Sequence, residues 1–185
     1  MNAFIIVEPL ALGSGILISE DETVSKEEQL LAALEALPLG GLLTLDLEGV
    51  QLSSEAARQL LRRAIRRIAG GELADRFLIL QNLKRGRYSV EAMLKLEGLT
   101  VVERGGEGRP PNLLGKVDPV VKESYEFLVR NEGGTARDLV DEFKLRTVSA
   151  ATNRLTTLAT LGLARRVGQE GLPGGGLQYR FAPVQ

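Results

Sequence analysis

Apolar positions along this chain change their period several times, and each change marks an element. "FIIV" (Phe4–Val7) and "GILIS" (Gly15–Ser19) are short apolar runs on either side of "EPLALGS". Two such runs around a turn-rich segment predict a hairpin. From Ser25 the period lengthens: Leu30, Leu31, Leu34 and Leu37 fall on one helical face, as in an amphipathic helix. Ser25, with Glu28 three residues on, predicts a capping box at its start. Pro38 and Gly40-Gly41 predict its end. "LLTLDLEGV" then alternates, with Leu43, Leu45 and Leu47 against Thr44, Asp46 and Glu48, which predicts a strand, and the short apolar strand runs of this half read as buried sheet centres. A second helix over "SSEAARQLLRRAIRRIAGG" places Ala57, Leu60, Leu61, Ala64, Ile65 and Ile68 inward and Arg62, Arg63, Arg66 and Arg67 on the other side. "RFLILQNL" is a nearly continuous apolar strand, "SVEAMLKLEG" a third helix and "LTVVERG" a last strand. The predicted order β-β-α-β-α-β-α-β implies an α/β domain with a mixed sheet and helices packed on it.

Periodicity lapses between Glu103 and Pro119, where four Gly and three Pro gather with several charges. This predicts a linker over 106–116, between an α/β domain at 1–105 and a second domain at 117–185. Three helices follow. The first has Asp118 as its cap and Pro119 in its first turn, places Val121, Tyr125 and Leu128 inward, and stops at Gly133-Gly134. The second opens with Thr135 and Asp138 and turns Leu139, Val140 and Phe143 inward. The third, "RTVSAATNRLTTLATLGL", turns Val148, Ala151, Leu155 and Leu158 inward and ends at Gly162. "LARRV" and "LQYRFAPV", joined by a Gly-rich turn, predict a hairpin.

Composition narrows the chemistry. The 185 residues are 44% hydrophobic but only 4% aromatic, so the core is aliphatic. No His and no Cys are present. That removes the usual zinc ligands, thiol nucleophiles and imidazole-dependent triads. There is no Walker lysine motif, and "GLPGGG" lacks the strand–loop–helix setting of a phosphate loop. Asp46 and Glu48 lie two apart on a predicted strand, with nothing to suggest a catalytic carboxylate pair. No enzyme activity and no cofactor are expected. The first ten residues lack the basic region of a signal peptide, and no stretch approaches the ~20 apolar residues of a membrane span. A soluble, cytoplasmic protein is expected. Net charge is −1, and the second half, with nine basic and eight acidic residues, is no obvious polyanion binder.

Two resemblances follow from these segments. "LTLDLEGVQLSSEAARQLL" resembles the strand–loop–helix centre of the STAS fold, shared by anti-sigma-factor antagonists and sulphate-transporter tails, and more closely the bacterial STAS-like domain of unknown function. The resemblance covers roughly residues 4–105. In the antagonists, a strand ending in Asp leads to a helix that opens with a phosphorylatable Ser. Asp46 and Ser53-Ser54 hold those places, but Glu55-Ala56 replace the antagonists' Gly-rich helix start. The resemblance implies a phosphorylation or partner site at Ser53 or Ser54. The plainer reading is an N-cap worth about 1 kcal/mol. The arginine run "RRAIRR" has three readings: a solvated face, pairing with a partner's acids, or contact with DNA phosphates.

Over residues 117–184, three helices and a hairpin match a winged helix-turn-helix. "NRLTTLATLGLARRV" resembles bacterial transcription regulators, with Leu155, Leu158, Gly162 and Leu163 in the pattern. In that family the third helix enters the major groove and the hairpin flanks it. The outward residues Thr147, Ser149, Ala150, Thr152, Asn153 and Thr156 suit base edges. Arg146, Arg154, Arg165, Arg166 and Arg180 suit phosphates. The expected function is a DNA-binding transcription regulator, most simply a homodimer on double-stranded DNA, with the STAS-like half sensing, dimerising or docking a protein partner. The alternative is a protein-interaction adaptor of the partner-switching kind, in which the winged helix is a docking module.

Overall fold

The computed structural model describes residues 5–6, 10–11, 15–17, 20–106, 108–171 and 175–185. It is an α/β fold with a mixed sheet and, among the described residues, six helices. The chain divides into two compact units, Phe4–Val117 and Asp118–Val184.

In the first unit, β1 (Ile5–Ile6), β2 (Leu10–Ala11), β4 (Gly41–Asp46), β6 (Arg76–Gln81), β7 (Thr100–Glu103) and β8 (Asn112–Gly115) form one sheet. The order is β1-β4-β6-β7-β8, with β2 also along β4. β1, β4, β6 and β7 run parallel, and β8 returns antiparallel to β7. β3 (Gly15–Leu17) pairs in parallel with β5 (Val50–Leu52). The crossovers are α1 (Glu20–Ala36), α2 (Ser54–Ala69) and α3 (Arg87–Glu97). One aliphatic core joins them to the sheet. Leu30 and Leu34 of α1, Leu60 and Leu61 of α2 and Leu94 of α3 meet Leu43, Leu45, Leu78 and Leu80 from alternate strand positions. Every α2 residue expected inward is buried.

Three expectations are corrected here. The expected N-terminal hairpin is absent among the described residues. Ile5 and Ile6 instead pair with Gly41 and Leu42, and Gly15–Leu17 with Val50–Leu52, all in parallel. The intervening Leu10, partly buried against the core, belongs to this accompanying edge. Second, α1 begins at Glu20, so Ser25 lies inside the helix and caps nothing. Its buried ladder runs Thr23, Glu27, Leu30, Leu34, spaced four, three and four, and two polar occupants hid its first half. β4 is buried from Gly41 to Leu45, Thr44 included, as its place inside the sheet requires. Third, 106–116 is not all linker: Asn112–Gly115 is the edge strand β8, in register with Thr100–Glu103.

The second unit contains α4 (Pro119–Arg130), β9 (Gly134–Thr135), α5 (Ala136–Phe143), α6 (Val148–Thr160), β10 (Ala164–Gly171) and β11 (Leu177–Pro183). Its sheet order is β10-β11-β9, antiparallel throughout. Asp118 caps α4, its side chain accepting from the Val120 amide at 2.8 Å. Thr135 and Asp138 form the full capping box of α5. Tyr125, Leu128, Leu139, Ala151, Leu155, Leu158 and Phe181 make the core. The Tyr125 hydroxyl donates to the Val184 carbonyl at 2.6 Å, tying α4 to the residue beyond β11.

The third strand of this sheet was not anticipated. Gly133-Gly134, expected only to stop a helix, lets β9 lie against β11. Gly133 has φ 122°. A Cβ on Gly134 would stand 2.7 Å from Cε1 of Phe127, so no larger residue fits without displacing that ring.

Candidate functional site

The turn from α5 to α6 shapes the outer end of the second unit. α5 closes at Lys144, whose φ of 50° is left-handed. This costs a non-glycine residue some strain, but it turns the chain sharply. Thr147 then caps α6, its hydroxyl accepting from the Ala150 amide at 3.2 Å. The stretch from Lys144 to Ala150 is exposed apart from half-buried Leu145. Two cations, Lys144 and Arg146, therefore stand on the approach to the amino end of α6.

α6 divides cleanly. Ala151, Leu155 and Leu158 are fully buried. Thr147, Ser149, Ala150, Thr152 and Asn153 are exposed, together with Arg146 before them. Thr152 donates its hydroxyl back to the Val148 carbonyl, and Thr157 does so to Asn153, both at 2.9 Å. Val148 was expected inward. It is 46% exposed, because it opens the helix, where no preceding turn covers it.

The arginines fare differently from their expected roles. Arg165 is only 8% exposed. Burial lowers its pKa from the ordinary value, and it is not presented to a ligand. Its position at the inner end of β10 explains this. Arg154 is half-buried, with its guanidinium 5.2 Å from the centre of the Phe143 ring. That contact joins α6 to α5 and draws the side chain aside. Arg180 pairs with Glu170 across the hairpin at 3.0 Å, so its charge is largely offset. Arg166 remains exposed, stacked 4.8 Å over Tyr179. Arg146 and Arg166 are therefore the expected phosphate ligands that stand open, and Lys144 joins them. Lys144 was missed because it reads as the tail of an amphipathic helix. Leu177 and Tyr179, 66% and 47% exposed on β11, were missed because strand alternation cannot say which face of a hairpin is covered.

In the first unit, Ser53 is the N-cap of α2, its hydroxyl accepting from the Ala56 amide at 3.0 Å. Ser54 is exposed in the first turn. Asp46 is held by Asn82 Nδ2 at 2.8 Å and the Glu48 amide at 3.0 Å. Burial pushes its pKa up, but these hydrogen bonds and one from Gln81 outweigh it, so the carboxyl lies below its ordinary range. The α2 arginines are partly engaged within the chain. Arg66 pairs with Glu97 at 2.8 Å, and Arg67 with Glu35 and Glu72. Pairs screened by solvent in this way stabilise only weakly. Among the described residues, no cluster of acidic side chains could hold a metal ion, and no helix is long and apolar enough to cross a membrane.

No protein-family model matches this chain, and no curated protein or solved structure is detectably similar to it.

Proposed function

We propose that this chain is a DNA-binding transcription regulator: a STAS-like α/β domain joined to a winged helix-turn-helix whose third helix, α6, reads the major groove. The observation that carries this reading is the exposed face of α6. From Thr147 to Asn153 it has no acidic residue and no long side chain. It presents hydroxyls, methyls and one free-standing amide, a set able to meet base edges. Lys144 and Arg146 precede it, and Arg166 stands on the hairpin; these cations suit backbone phosphates, which position a protein without specifying sequence. A module with so few cations binds weakly alone, and a homodimer on two half-sites doubles its contacts. The STAS-like unit is the place for that pairing or for a protein partner, and Ser54 is its candidate modification site.

The test is binding of the full chain to duplexes from upstream of its own gene, at two salt concentrations, with Asn153→Ala and Arg146→Ala alongside. A saturable complex weakened by salt and by both substitutions supports the regulator. Binding indifferent to both substitutions, or none, rejects it.

One observation favours the adaptor instead. Val148, Leu177 and Tyr179 are exposed apolar residues on this unit, while Arg165 is buried and Arg180 paired. A protein partner uses such a surface better than a phosphate backbone does. Capture of a partner protein by the full chain, lost on Tyr179→Ser and retained in Arg146→Ala, is the result that reading requires.

A further inference from the structure

We infer that the α6 face selects A·T base pairs. This rests on the regulator reading and specifies its target. Thr152 and Thr157 donate their hydroxyls to carbonyls one turn back in their own helix, which engages the hydroxyl proton and leaves each to offer a neighbour its γ-methyl and an accepting oxygen. Val148 and Ala150 are exposed as well. Four exposed side chains of the helix therefore carry methyl groups, three of them, Val148, Ala150 and Thr152, in its first five residues. Methyl groups find their complement in the major groove at the C5-methyl of thymine.

Asn153 supplies the polar half of the match. It is exposed, and its amide makes no hydrogen bond among the described residues. A free Asn amide pairs with both N6 and N7 of adenine. The strongest partners of the other bases are missing from this face, where the exposed hydroxyls of Thr147, Ser149 and Thr152 take any base without preference. Guanine is best met by an arginine or lysine fork, and cytosine by a carboxylate. No Arg, Lys, Asp or Glu lies between Thr147 and Asn153. Arg154 is drawn over Phe143, and Arg146 stands before the helix cap.

The experiment is selection of bound duplexes from a randomised library by the full-length protein, followed by affinity measurements on the enriched sequence. The expected motif is an A·T run containing one required adenine. Replacing thymine by deoxyuracil removes only the methyl and lowers affinity about fourfold per contacted base. Asn153→Ala relaxes discrimination at the adenine by on the order of tenfold, with the salt dependence unchanged. The uracil arm uses the wild-type chain, so it stands whether or not the variant folds. A motif centred on G·C pairs and indifferent to uracil overturns the inference while leaving the regulator reading intact. Failure to enrich any sequence overturns both, and an accompanying protein partner then identifies the adaptor.

Discussion

Tyr125→Phe isolates a single hydrogen bond on which the second unit depends. The side chain is 1% exposed, and its hydroxyl donates to the Val184 carbonyl at 2.6 Å. The Val184 amide in turn donates to the Leu163 carbonyl at 2.9 Å. The substitution keeps the ring and its packing but leaves a buried carbonyl without its side-chain donor, at a cost of about 1–3 kcal/mol. For a unit this size that lowers the midpoint of thermal unfolding by roughly 4–8 °C per kcal/mol. The same burial pushes the Tyr125 pKa above its ordinary value of 10.0. The folded state therefore holds this proton more tightly than the unfolded chain. The stability it contributes is complete below pH 10 and is lost as pH rises above that value. Urea unfolding at pH 7 and again above pH 10, with tyrosinate absorbance followed alongside, measures both effects. The wild type should lose stability over the alkaline range more steeply than Tyr125→Phe. Equal stability of the two proteins at pH 7, or full ionisation of all three tyrosines with helical structure intact, would refute the reasoning.

Further outcomes follow from the same geometry. Ser53→Ala should cost about 1 kcal/mol through the lost α2 cap, while Ser54→Ala stays within about 0.5 kcal/mol; urea midpoints distinguish them. Gly134→Ala forces a methyl against Phe127 and should destabilise by about 1–3 kcal/mol, read in the same assay. Arg154→Ala removes a cation over an aromatic ring, worth about 0.5–2 kcal/mol. It should lower the unfolding midpoint and leave the salt dependence of DNA binding unchanged, unlike Arg146→Ala.

Alternation of apolar and polar residues made most of the elements legible, because it is a direct imprint of burial. The buried face of α2 carries that imprint without interruption, whereas in α4 the polar Ser124 is buried and in α6 the apolar Val148 is exposed. It failed where burial and hydrophobicity part company. Thr23 and Glu27 occupy inward positions of α1, so the helix looked shorter than it is. Thr44 is polar yet buried on an inner strand. β8 follows two prolines, which disguised an edge strand as a linker. Strand partners were harder still: apolar runs identify strands but not their pairing, and the runs read as a hairpin pair instead with β4 and β5. At the candidate site, the exposed polar face of α6 followed from its period of three and four. The arginines did not follow, since long side chains can turn either way. Arg165 is buried and Arg154 lies along Phe143 for reasons that live in packing.

The central claim is that α6 lies against DNA, and covalent capture tests it most directly. A photoreactive amino acid is placed at Thr152 of the full chain and, in a separate protein, at Ser54, and each is irradiated with the upstream duplex. The account predicts a protein–DNA adduct from position 152, competed away by excess unlabelled duplex, and none from position 54. Adducts at position 54 alone, or a stable complex with no adduct at 152, would contradict it.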